Sequence, residues 1–98
     1  MTVSKKQEND KLYIALEGRL DTMTSPEFEA ELDQSLDGIT ELTLDFSALD
    51  YISSAGLRVL LRTHKRLTGQ GEMKITGANE TINEIFDVTG FNDILNIE

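Results

Sequence analysis

LTLDFSALDYISSAGLRVLL, residues 42–61, passes from an apolar strand into an amphipathic helix. With Glu41 in front, residues 41–46 read as a strand, followed by a short connection and a helix that opens near Ser54. On a helical wheel Leu57, Leu60, Leu61, His64 and Leu67 share one face, and Arg58, Arg62, Lys65 and Arg66 share the other. Val59 is assigned to the basic face, away from the leucine stripe. GQG at 69–71 closes the helix, and EMKITG at 72–77 is the next strand, with Met73 and Ile75 on one side. A strand, a helix and a second strand in succession imply parallel neighbours joined by a right-handed crossover.

The flanking segments extend this unit in both directions. KLYIALEGRL (11–20) sets Leu12, Ile14 and Leu16 against Tyr13, Ala15 and Glu17, the period of a half-buried strand. The residues before it suit a partner strand, with Glu8, Asn9 and Asp10 as the turn and Lys5 and Lys6 along an edge. SPEFEAELDQSLDG (25–38) reads as a helix. Ser25 is expected to cap it, Pro26 occupies its first position, and Phe28, Leu32 and Leu36 form its buried stripe. Gly38 ends it. Asn79 can cap a third helix bearing Ile82, Ile85 and Phe86, stopped by Thr89 and Gly90; residues 91–98 leave room for one short strand or turn. The order is β-β-α-β-α-β-α-(β). The expected fold class is α/β: a small single domain over residues 1–98, a sandwich around a mixed sheet with helices packed against it.

Composition narrows the functions such a domain can have. Hydrophobic residues make up 39% of the 98 residues and charged residues 28%, enough for one continuous core. The net charge of -9 opposes binding to nucleic acid, whose phosphates attract clustered Lys and Arg, and docking on anionic lipid. The chain has no cysteine, which excludes disulfides and thiolate metal sites. The polar opening MTVSKKQEND lacks a signal-peptide core, and no apolar run reaches the roughly 20 residues of a membrane helix. A cytoplasmic domain without direct membrane insertion is the expectation.

The adjacent serines at 53 and 54 admit two readings. One caps the helix, a contribution of about 1 kcal/mol. That role needs a single hydroxyl, and it leaves unexplained Ala55-Gly56, where glycine costs roughly 1 kcal/mol relative to alanine. The other reading makes one serine a phosphorylation site at a sterically open helix end, with Gly56 giving another protein's active site room to approach. Arg58, one turn beyond Ser54, is within reach of a phosphate there. His64 reads as a packed histidine and Asp45 as the holder of a turn. Asn79-Glu80-Thr81 matches a glycosylation acceptor by chance. There is no metal-ligand cluster, nucleotide-binding glycine loop or nucleophile-base-acid trio, so the chain reads as a substrate of enzymes and not an enzyme, with no cofactor.

The stretch 42–61 strongly resembles the central signature of STAS domains, the family of bacterial anti-sigma-factor antagonists. It has an apolar strand ending Asp-Phe-Ser, a short loop, a Ser-rich turn, Gly-Leu, and then an apolar helix. LEGRLDTMTSPEFEAEL (16–32) looks like that family's other conserved block, a strand ending Gly-x-Leu-Asp before a helix. The resemblance implies an antagonist that binds an anti-sigma-factor serine kinase. The kinase phosphorylates a serine at the start of the second helix, and a serine phosphatase restores binding. Aligning Gly56-Leu57 with the family's Gly-Leu puts the acceptor on Ser54. Ser53 then stands where many relatives carry aspartate, Ala55 where they carry serine or threonine, and Arg58 where glycine is frequent. Asp21 matches an aspartate that lies beside the acceptor and contacts the kinase. The implied contact set is Asp21, Ser53, Ser54, Gly56, Arg58, Val59 and Arg62. The alternatives are a STAS scaffold or accessory subunit of another signalling or transporter complex, and a small-molecule or nucleotide-binding sensor.

Overall fold

A computed structural model describes residues 1–98. The chain runs through β1 (Thr2–Glu8), β2 (Lys11–Leu20), α1 (Ser25–Ser35), β3 (Glu41–Ile52), α2 (Ser54–Leu67), β4 (Glu72–Thr76) and α3 (Glu80–Thr89). A 3₁₀ turn (Phe91–Asp93) and β5 (Asn96–Ile97) complete it. The five strands lie in the order β1-β2-β3-β4-β5. The pair β1/β2 is an antiparallel hairpin closed at Glu8↔Lys11, and every other pair is parallel. This is the expected mixed α/β fold, and the final strand does form.

Each crossover joins strands that are adjacent in the sheet, and right-handed crossovers of this kind put their helices on one side. The burial pattern agrees. Leu12, Ile14, Leu16, Leu42, Leu44, Phe46, Met73 and Ile75 are buried, and they join Phe28, Leu32, Leu57, Leu60, Ile82 and Phe86 in one core of 22 residues. The alternate positions on the other side of the sheet stay accessible, as with Tyr13 at 43% exposed. The sandwich is thus two layers, sheet and helices.

The strand read as residues 41–46 is twice that length. Beyond Phe46 it continues to Ile52 by way of two bulges. Between the pairs Ala15↔Asp45 and Glu17↔Ala48, two β3 residues oppose one on β2. Between Gly18↔Leu49 and Arg19↔Tyr51, Asp50 is the extra residue. Asp45 holds the first bulge. One carboxylate oxygen accepts from the Ser47 amide at 2.9 Å and hydroxyl at 2.6 Å, while Tyr13 donates its phenolic hydrogen to the other. The Ser47 hydroxyl, then Tyr13, hold the Asp45 carboxyl below the usual carboxylate range.

Ser25 does not cap α1. It is the first helical residue, 3% exposed, with a buried hydroxyl that has no partner. The start is built one turn earlier. Asp21 accepts from the amides of Met23 (3.0 Å) and Thr24 (3.1 Å), and its carbonyl accepts from the Ser25 amide at 2.8 Å. Asn79 does cap α3, its side chain accepting from the Ile82 amide at 2.8 Å, and Gly90 ends that helix in the left-handed conformation.

Candidate functional site

Parallel pairing brings the ends of β2 and β3 side by side, with Leu20 opposite Ile52. One residue further on, the Ser53 amide donates to the Leu20 carbonyl at 2.9 Å, so Asp21 and Ser53 leave the sheet as neighbours. Here, at the carboxyl edge of the strands, α1 and α2 both begin. Loop ends at this edge of an α/β sheet are a common place for function, because the sheet fixes their backbones and the layers leave them open.

Ser54 is the first residue of α2, is exposed, and carries no hydrogen bond through its hydroxyl. Ser53 holds the N-cap position by its backbone alone. Its carbonyl accepts from the Leu57 amide at 3.0 Å, while its hydroxyl is buried and unpartnered and makes no cap bond. The expectation that the Ser53 side chain caps the helix is thus corrected. The consequence is chemical: the first amides of α2 have no side-chain acceptor, and the positive end of the helix dipole lies beside the one free hydroxyl.

Gly56 faces inward, not towards a visitor. A Cβ there would lie 2.7 Å from Ile52 Cγ1 and 2.9 Å from Leu20 Cγ, so its smallness lets the first turn of α2 rest on the two strand ends. The expectation that it opens the helix end to another active site is replaced by this packing role. Val59 is also corrected. It is 4% exposed and packed in the core, because the buried stripe of α2 comprises Gly56, Leu57, Val59, Leu60, Thr63 and Leu67. Leu61 and His64 lie at its half-buried margin. The Thr63 hydroxyl donates to the Val59 carbonyl at 2.8 Å, which satisfies the one polar group on that stripe.

The basic face of α2 is mostly occupied. Arg62 pairs with Glu29 at 3.4 Å and Asp33 at 3.2 Å, and Arg66 with Asp33 at 3.3 Å and Asp37 at 3.1 Å. The acids stand at i, i+4 and i+8 along α1 and the loop after it, so the arginine row faces an acidic row of this same chain. Arg62, expected as a partner contact, is exposed and bound to these acids. Arg58 is exposed and has no ion pair. It lines a cleft of about 370 Å³ with Thr22, Ser25, Pro26, Glu29, Ala55 and Val59.

Asp21 is half-buried and ionised below the usual range. The Thr24 amide is the main cause, helped by the Met23 amide, the Thr24 hydroxyl and Arg19 at 3.8 Å, with partial burial opposing. Thr24 braces the same turn, its hydroxyl donating to the Arg19 carbonyl at 2.8 Å and accepting from the Asp21 amide at 2.9 Å. Arg19 also lies over the Tyr51 ring, 4.6 Å from its centre. Sequence reasoning missed these two residues. A cation and an aromatic on different strands, Arg19 and Tyr51, give no sequence signal until the second bulge aligns them.

The site thus presents a free hydroxyl, a fixed carboxylate and an unpaired guanidinium on one rigid edge, with the core closed beneath them. The family model for the STAS domain matches residues 2–98. The chain is similar to BtrV of Bordetella bronchiseptica, a candidate anti-sigma factor antagonist, at 35% identity over 96% of this chain and 83% of that protein. It is 30% identical to the anti-sigma-B factor antagonist of Listeria monocytogenes, over 96% and 84% of the two chains. Among solved structures, an anti-sigma factor antagonist from Mycobacterium paratuberculosis superposes with a TM-score of 0.89 at 20% identity, covering 98% of this chain and 83% of that one. SpoIIAA of Bacillus has been solved unphosphorylated and phosphorylated. Each form superposes with a TM-score of 0.77, at 16% and 17% identity, over 99% of this chain and 87% and 91% of SpoIIAA. On fold and on sequence over nearly its whole length, the chain belongs to the STAS domain family.

Proposed function

We propose that this chain is an anti-sigma-factor antagonist that binds an anti-sigma-factor serine kinase and is released when that kinase phosphorylates Ser54. The observation that carries the reading is the exposure of Ser54 at the uncapped start of α2, beside the constrained carboxylate of Asp21. The names of the relatives support the antagonist role, and the similarity to both forms of SpoIIAA supports a phosphate that leaves the fold in place.

In the modification step the Ser54 hydroxyl oxygen attacks the γ-phosphorus of ATP bound to the kinase. The Oγ–P bond forms, the bond to ADP breaks, and the serine proton passes to a base of the kinase. A phosphatase reverses the state by hydrolysis: water adds to phosphorus, inorganic phosphate leaves, and Oγ regains a proton. The added group carries about -1.5 to -2 charges. At the N-terminus of a helix that charge is favourable by about 0.3–1 kcal/mol. In a docked interface it must lose its water without a partner to replace it, and a loss of about 3 kcal/mol lowers affinity by roughly two powers of ten. The modification therefore acts on docking and spares the domain.

The test is direct. The protein is incubated with ATP and a lysate of its own cells, and its intact mass is measured. One phosphate is expected on the parent chain and on Ser53→Ala, and none on Ser54→Ala. Addition to Ser54→Ala would move the acceptor elsewhere. No addition under any condition would favour a STAS scaffold or an accessory subunit of another complex. A pull-down with unphosphorylated protein is expected to recover a serine kinase.

A further inference from the structure

We propose that Arg58 is the intramolecular counter-ion of phosphorylated Ser54, so that phosphorylation both adds a dianion to the docking edge and withdraws that edge's free guanidinium. The inference rests on the Ser54 reading and specifies its regulation. Of the four arginines in the chain, three are held by carboxylates: Arg19 by Asp21, Arg62 by Glu29 and Asp33, and Arg66 by Asp33 and Asp37. Arg58 is the exception, and it stands four residues from Ser54 on the same helix, both residues exposed.

Spacing selects it further. Residues at i and i+4 lie on one face of a helix, about 6 Å apart along the axis, within reach of a long side chain. Arg62 is two turns from Ser54, about 12 Å along the axis, and committed to α1. Glu29, the carboxylate that shares the cleft with Arg58, is the one bound to Arg62, so it does not compete strongly for Arg58. Guanidinium and phosphate match in shape and form paired, charge-assisted hydrogen bonds. The cleft beside Arg58 gives the side chain room to swing towards the helix start.

Of the charged groups on the elements that meet here, Arg58 lies on the same helix as Ser54, Glu29 on α1 across the cleft, and Asp21 just after β2, the last paired with Arg19. Removing Arg58 leaves the two acids in place and should make the dianion harder to form.

The experiment installs phosphoserine at position 54 of the full chain by genetic encoding, in the parent background and with Arg58→Gln or Arg62→Gln. The second phosphate ionisation is followed by phosphorus NMR at low salt. The parent and Arg62→Gln are expected to titrate together, with Arg58→Gln shifted upward by about 0.3–0.5 pH units. Melting curves of the three proteins show whether each remains folded over the titrated range. Coincident curves for parent and Arg58→Gln would overturn the proposal, and so would an equal shift from Arg62→Gln. Because no kinase is used, these outcomes are independent of whether cellular enzymes choose Ser54. Failure of that assignment would show only in the lysate experiment.

Discussion

A Cβ on Gly56 would have to occupy space already filled by Ile52 and Leu20, which are 1% and 0% exposed and have nowhere to move. Gly56→Ala gains up to about 1 kcal/mol of helix propensity, and the overpacking costs about 1–3 kcal/mol. The expected net is a destabilisation of about 1 kcal/mol, read as a lower urea midpoint at unchanged slope. A variant as stable as the parent would show that the strand ends yield. The bulge at Asp45 makes a second prediction, through pH. Its carboxyl is held low chiefly by the Ser47 hydroxyl and then by Tyr13. A folded pKa below the unfolded value of about 3.9 means a contribution present above that pH and lost as pH falls through the folded value. Tyr13 is shifted upward by its bond to Asp45, so its contribution is complete below about pH 10 and lost at higher pH. Ser47→Ala should therefore flatten the acid limb of a stability profile between pH 5 and 2 more than Tyr13→Phe does, while Tyr13→Phe alone should flatten the limb above pH 10. Denaturation midpoints across pH, with carboxyl NMR on Asp45, check both limbs.

Between α1 and α2, the acidic row Glu29, Asp33 and Asp37 meets Arg62 and Arg66, with Asp33 shared by both arginines. These side chains are exposed to a third or more, so solvent and salt screen them and each pair is worth well under 1 kcal/mol. Asp33→Asn should cost about 0.5 kcal/mol at low salt and nothing measurable in 1 M NaCl. A larger, salt-independent loss would mean that Asp33 holds the helices by geometry and not by charge. The same pair of helices shows what the sequence conceals. The order of elements was legible, because period changes, Pro26, Asn79 and the glycine stops are local signals. The length of β3 was not: its buried residues run Leu42, Leu44, Phe46, Leu49 and Ile52, and two bulges break the period of two that identifies a strand. Val59 was misplaced because a leucine stripe marks one side of α2, while the central helix also buries the side that meets α1. That Ser54 opens α2 and Asp21 follows β2 was legible, because both stand where a change of period marks an element end. The buried hydroxyls of Ser25 and Ser53 were not, since cap geometry depends on where Asp21 and Leu20 hold the backbone.

The helices run back across the sheet, so the molecule has two ends built from different residues. Asp21, Ser54 and Arg58 lie at the carboxyl edge of the parallel strands. At the opposite edge α2 ends, β3 and β4 begin, and Gln70 donates to the carbonyls of Leu36 and Ile39, both at 2.7 Å. Those bonds fasten the turn after α2 to the loop that leads from α1 into β3, and nothing in them reaches the edge where Ser54 stands. Changes at the two ends should therefore affect different observables, since substitutions far apart with no shared partner act independently. Gln70→Ala removes the side-chain donor to the Ile39 carbonyl and leaves the Leu36 carbonyl with the Ile39 amide alone, and should cost about 1 kcal/mol of stability, while phosphate uptake from ATP and lysate and recovery of the partner stay at parent level. Ser54→Asp should do the reverse. Its carboxylate sits at the helix start, where charge is tolerated, so stability should stay within about 0.5 kcal/mol of the parent. Partner affinity should fall on the order of 100-fold if the interface excludes charge at that position. Measuring unfolding and partner binding on both variants gives four numbers, and the separation requires two large and two small ones on the stated diagonal. Loss of binding in folded Gln70→Ala would show that the two ends are coupled through α2, and that the switch is not confined to the edge where Ser54 stands.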